Sequence, residues 1–319
     1  MLSVLLIILP IFALILAGWA ARRSGVMGPM AATEINRFVV WLALPALLFG
    51  IMARADWAEI WQPGFIGAFL GGALLVFALT LIWRRRSRPL ADAAIDGLNA
   101  GYANTAFIGF PLLLAVLGEA SLAPTLIATI LTVCVLFAGA LILVDIGLQA
   151  GGSGWRMLGN LARSLARNPL VIAPLAGALF LVTGWDLPGP VDRFVTLLGG
   201  AASPCALVGL GLFLADKAGK GAGKGAASDQ KGAMGVVAAL VALKLLLQPV
   251  LTWLIATYLL NLSPPLTSAA VLLAALPTGT GPFMAAEYHR REAGITAQAI
   301  LLSTVLSLVT LTGLLMVMG

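Results

Sequence analysis

The chain has 319 residues, 61% of them hydrophobic and 10% charged, with a mean hydropathy of +1.03. Soluble domains carry about 25% charged residues, so this chain lacks the polar surface to face water, and lipid is its solvent. The net charge of +6 reads as membrane orientation rather than as nucleic-acid binding. Two cysteines in apolar runs and a single histidine leave neither a disulfide framework nor a multi-histidine metal site.

A membrane-spanning helix needs about 20 mostly apolar residues. Ten candidates follow in chain order: 2–21, 33–53, 63–83, 98–117, 122–145, 169–184, 190–214, 233–258, 266–287 and 295–318. The first has no basic residue ahead of its apolar run, and Arg22 and Arg23 come after it. A cleavable signal peptide has the opposite order, so this is expected to be a retained helix entering from the non-cytoplasmic side. With that start, 15 Lys and Arg fall in the cytoplasmic loops, against Arg54 and Arg193 outside. The positive-inside rule therefore sets both termini outside and the central loop inside. That loop, 215–232, is rich in Gly, Ala and Lys and reads as a flexible linker whose lysines lie near anionic lipid; its Gly-Lys pairs lack the context of a nucleotide-binding loop.

Shared order across the two halves indicates a repeat. Pro10 to Trp19 in the first helix matches Pro174 to Trp185 in the sixth, and Pro45 to Gly50 in the second matches Pro204 to Gly209 in the seventh. The fourth and ninth helices are both interrupted by Gly and Pro. Five helices per half make the repeat inverted, dividing the chain into 1–150, then 151–214 and 233–319 on either side of the loop. Inverted repeats with paired discontinuous helices point to secondary transport with a site at the midplane.

The first break is expected over Asn104–Pro111, including Thr105 and Gly109, and the second over Pro277-Thr278-Gly279-Thr280-Gly281-Pro282. Pro111 and Pro282 suit the first turn of a new half-helix, and Gly279 and Gly281 permit a positive φ. Broken backbone at this depth is tolerated where it lines a cavity. Two half-helix N-termini, each equivalent to about +0.5 charge, suit an anion there, carboxylates above all; kinks buried by neighbouring helices are the plainer alternative. Lys244, deep in the eighth helix, has two readings. It is a counter-charge or proton-coupled switch for an anion, or a structural lysine bonded to carbonyls freed by a broken helix. Arg37, a turn into the second helix, is expected to snorkel to headgroups. Asp145 and Glu287, at cytoplasmic helix ends, pair with arginines or gate the inner entrance. No Ser/His/Asp set, zinc signature or paired intramembrane aspartates appears, so an enzyme has little support, and no cofactor or metal is implied.

Several stretches carry a resemblance: Asn36-Arg37-Phe38 with Leu44 to Phe49, Asn104 to Leu112, Asn168-Pro169-Leu170, Lys244 with Gln248-Pro249, and Ala275-Leu276-Pro277 leading to Ala285-Ala286-Glu287-Tyr288. On these the sequence resembles the auxin efflux carrier family, as a bacterial relative of the plant PIN-FORMED carriers. The resemblance implies an all-α membrane protein of ten helices in two inverted repeats, with a scaffold and a transport domain, often in a dimer, in a bacterial inner membrane. It also implies that the fourth and ninth helices cross at the substrate site, with elevator-type motion. Its implied substrates are small organic anions such as auxin, malonate or other carboxylates, with Asn104 facing the substrate carboxylate. Sodium-coupled organic anion symporters of the bile-acid type share that architecture and are the alternative, although no acidic residue lies mid-span in the breaks. A channel or a sensor is a further class.

Overall fold

A computed structural model describes residues 2–148, 169–220 and 227–318. Arg156, Arg163 and Arg167 of the charge count, and 221–226 of the central loop, lie outside the described residues. The helices are α1 (Leu2–Arg23), α2 (Ala31–Ala53), α3 (Pro63–Arg85), α4 (Leu90–Gly101), α5 (Thr105–Leu117), α6 (Glu119–Leu148) and α7 (Pro169–Thr183). They continue as α8 (Gly189–Gly200), α9 (Ala202–Lys220), α10 (227–259), α11 (Pro264–Ala274), α12 (Gly281–Tyr288) and α13 (Ala293–Met318). Among the described residues six helical stretches are long and apolar enough to cross a membrane: α2, α3, α6, α8 with α9, most of α10, and α13. No strand forms among the described residues; extended chain meets extended chain only at an isolated bridge between Ala103 and Thr278.

Two regions depart most from the sequence expectation. α4 starts at Leu90 rather than 98, and the two aspartates in its added turns are neutralised by arginines. Asp96, fully buried, accepts from Arg84 at 2.5 Å, and Asp92 pairs with Arg291. The loop 215–232 is also shorter than expected: α9 runs to Lys220 and α10 begins at Ala227, as alanine and lysine favour helix.

The helices pack as two groups. In the first, α1 lies along α9, and α2 lies against α7 and α8. A Cβ on Gly18 would fall 2.1 Å from the Val208 carbonyl oxygen, one on Gly211 2.0 Å from that of Ile15, and one on Gly177 2.5 Å from that of Phe49. Backbones this close leave no room for a side chain. Arg22 pairs with Asp216, and Arg54 with Asp192, both at 2.6 Å. The second group joins α3, α4, α5, α6, α10, α11, α12 and α13; its two large apolar clusters extend onto the first group, one through Ile15, Leu207 and Leu210 and the other through Val39, Val40, Leu44 and Leu48. The ion pairs Arg84–Asp96, Arg88–Glu292 and Arg291–Asp92 belong to the second group. Trp41, Trp57, Trp61, Trp185 and Trp253 are all more than 40% exposed, as an aromatic belt requires. Arg37 is also exposed and pairs with Glu34 three residues earlier.

Candidate functional site

Inside the second group α4 ends at Gly101, and the chain runs extended through Tyr102 and Ala103 before α5 begins at Thr105. Between α11 and α12 a second non-helical segment, 275–280, crosses it. The Asn104 N–H donates to the Pro277 carbonyl at 2.9 Å, and the Gly279 N–H donates to the Tyr102 carbonyl at 3.1 Å. Each broken segment thus satisfies backbone groups of the other, which hydrocarbon alone could not do.

Side chains supply the remaining partners. The Thr278 hydroxyl donates to the Asn99 carbonyl at 2.8 Å, while the Thr278 N–H donates to the Ser303 hydroxyl at 3.1 Å. Lys244 is completely buried, and its Nζ donates to the carbonyl of Ala274, the last residue of α11, at 2.7 Å. One turn along α10, Gln248 Nε2 donates to the carbonyl of Gly101, the last residue of α4, at 3.2 Å. A single face of α10 therefore caps both half-helices that run into the crossing. These carbonyls carry the negative end of each helix dipole, where an ammonium or an amide N–H is favourable.

A cavity of about 20 Å³ lies against the crossing, room for about one water. On the second group's side it is lined by Tyr102 to Phe107, Val133, Thr280 and Met284; Leu44, Leu47, Ala202 and Ser203 of the first group close it. Asn104 makes no side-chain cap to its own helix. The Thr105 hydroxyl is buried with no hydrogen-bond partner. As at any helix start, the first-turn amides of α5, those of Ala106 and Phe107 among them, have no intrahelical carbonyl to reach.

Of the residues singled out from the sequence, Asn104, Thr105 and Thr280 line the cavity. Pro277, Thr278 and Gly279 build the crossing, and Gly281 and Pro282 open α12. Gly109 and Pro111 sit further along α5 and line nothing there. The break falls at 102–104 because residues 105–109 form a π-turn, with the Gly109 N–H reaching the Asn104 carbonyl at 3.3 Å. That wider turn carries the helix into Pro111, which lies in its interior rather than at its start. Gly279 and Gly281 are not among the glycines with positive φ. They are small because the Tyr102 ring lies on them: a Cβ would come within 2.7 Å and 2.6 Å of it. Lys244 does not line the cavity. Glu287 lines a separate cavity of about 430 Å³ with Phe213, Arg290 and Glu292, and the buried Asp145 lines neither.

A family model described as "Membrane transport protein" matches residues 3–147 and 153–315. The chain belongs to this family, that of the auxin efflux carriers. It is 30% identical over 315 residues to a Rhizobium meliloti protein named "Putative malonate transporter", covering 97% of this chain and 94% of that one. It is 27% identical over 308 residues to an "Uncharacterized transporter" of Methanothermobacter thermautotrophicus, covering 95% of each. The Arabidopsis thaliana "Auxin efflux carrier component 8" is 23% identical over 342 residues, covering 91% of this chain and 90% of that one. In this auxin efflux carrier family member, sequence reasoning missed Tyr102, Ser203 and Met284 at the site. Tyr102 packs edge-on against Phe137 at 5.8 Å, a partner 35 positions away that no local motif signals.

Proposed function

We propose that this protein is a secondary carrier of a small organic carboxylate, working by movement of the second helix group against the first. The observation that carries this reading is the crossing itself. Two half-helices start there, at Thr105 and Gly281, beside a cavity that lies on the seam between the groups. Helix starts favour anions, and a seam between two bodies lets the site face one side and then the other.

Three features support the inverted repeat. Exchanging the halves maps α1 onto α7 and α2 onto α8–α9, so the packing of α1 on α9 maps onto that of α7 on α2. These are the two most extensive helix contacts among the described residues. Pro10 and Pro174 both lie inside their helices, and α4–α5 corresponds to α11–α12. The ion pairs support the sidedness, with the N-terminus and C-terminus both external. Arg54 pairs with Asp192, in the first turn of α8, at helix ends assigned outside, and Arg291 pairs with Asp92, in the first turn of α4, at ends assigned inside.

The elevator reading draws on how the groups touch. The inter-helix ion pairs and the crossing's hydrogen bonds named above each stay within one group. The aromatic contacts Phe213–Phe283, at 5.3 Å, and Trp41–Tyr288, at 6.2 Å, cross the seam, both landing on α12. Non-directional contacts of this kind are cheaper to exchange for new ones than buried ion pairs. The test is carboxylate counterflow in proteoliposomes. Saturable exchange is expected for the native protein, and its loss in Asn104→Ala with the melting temperature retained. No exchange with any carboxylate, or full exchange in that variant, would overturn the reading.

A further inference from the structure

Resting on that reading, the composition of the cavity wall narrows the substrate class. We infer that the site takes carboxylates bearing one negative charge and an apolar body, and discriminates against dianions. Among the residues lining the cavity none is charged. Its polar side chains are Asn104, Thr105, Ser203, Thr280 and the Tyr102 phenol, all uncharged; the remainder is largely Leu44, Leu47, Phe107, Val133 and Met284.

Two half-helix N-termini worth about +0.5 each together balance about one unit of negative charge. Thr105, only 1% exposed and with its hydroxyl unpartnered, adds an unused donor at the same place. Asn104, without a cap to its own helix, offers an amide N–H. One carboxylate is thereby provided for. A second would meet leucine, valine and methionine, and an ionised group buried without a partner is costly. Lys244 does not fill that role, because its ammonium is held by the Ala274 carbonyl outside the cavity wall. The wall formed by Leu44 and Leu47 belongs to the first helix group, so the room for the apolar body is set by the separation of the two groups, while the donors stay fixed in the second.

Malonate and its monomethyl ester separate charge from shape. Binding to the purified full-length protein is read by thermal shift, since a ligand of the native state raises the melting temperature by mass action, and transport by counterflow. At a pH where malonate is doubly ionised, monomethyl malonate and butyrate are expected to bind at least tenfold more tightly than malonate. Thr105→Val is expected to weaken butyrate about tenfold, and Leu47→Arg, which adds a cation to the apolar wall, to raise malonate binding about tenfold. Malonate binding as tightly as its ester overturns the inference and leaves the carrier reading standing; no binding of any carboxylate overturns both. Should Leu47→Arg fail to fold, the comparison of ligands on the native protein decides alone.

Discussion

Lys244 shows how a single side chain divides into what a sequence reveals and what it conceals. A lysine deep in an apolar helix announces a special role, since an unpaired charge there costs at least about 2.5–3.5 kcal/mol. Its partner is a carbonyl 30 positions away, exposed only because α11 stops at Ala274, and no pattern in the chain ties the two together. Replacing it with methionine leaves that carbonyl without a donor, a loss of about 1–3 kcal/mol, offset in part by removal of the buried charge. The melting temperature of Lys244→Met is expected to fall, with Lys244→Gln, which retains an N–H donor, in between. Identical melting temperatures for all three would show that the capping contact does not stabilise the crossing. Asn104 and Thr105 were legible for another reason: polar residues followed by Gly and Pro in an apolar run mark a break. Tyr102 was not, because its task is to lie flat on two glycines contributed from 279 and 281.

At the scale of an element, α4 and the segment following α12 are joined by charges. The helix begins eight residues earlier than the span expected from the sequence, and takes in Asp92 and Asp96. Their neutralisers, Arg84 and Arg291, sit on a preceding helix and on a turn nearly 200 residues on. Glu292 belongs to the same cluster. It pairs with Arg88 at 3.5 Å, and it adopts the left-handed region at φ +52°. Burial holds its carboxyl above the usual glutamate range; Arg88, Arg84 and Arg291 oppose that shift, and Asp92 adds to it. An acid whose folded pKa is raised keeps its proton longer folded than unfolded. Its contribution is therefore most favourable at pH below the unfolded pKa and is lost as pH rises through the ordinary glutamate range toward the folded value. Subtracting the melting temperature of Glu292→Gln from that of the native protein isolates this contribution, and the difference is expected to decline with rising pH over that window. A difference that grows with pH would mean that the arginines outweigh burial.

At the scale of the whole molecule, the periodicity of hydrophobicity and the alternation of charge made the succession of helices legible, because lipid imposes both. The division into two groups was not legible, since it depends on which faces meet. Glycines that let backbones touch, such as Gly18 and Gly211, look in the sequence like any glycine in an apolar helix. Under the proposed elevator movement, contacts within a group stay fixed during transport and contacts across the seam are exchanged. With Cys134 and Cys205 replaced, cysteines at Trp41 and Tyr288, whose rings lie 6.2 Å apart across the seam, can be tethered by a short bismaleimide. Cysteines at Arg54 and Asp192, joined in the native protein by an ion pair at 2.6 Å within the first group, provide the matching control. The first tether is expected to stop counterflow while carboxylate binding persists, because the donors at Asn104 and Thr105 remain assembled within one body. The second is expected to leave counterflow unchanged. Transport that continues through the seam tether would require a moving part smaller than the second group, with α12 itself the element to examine, since it bears both aromatic contacts.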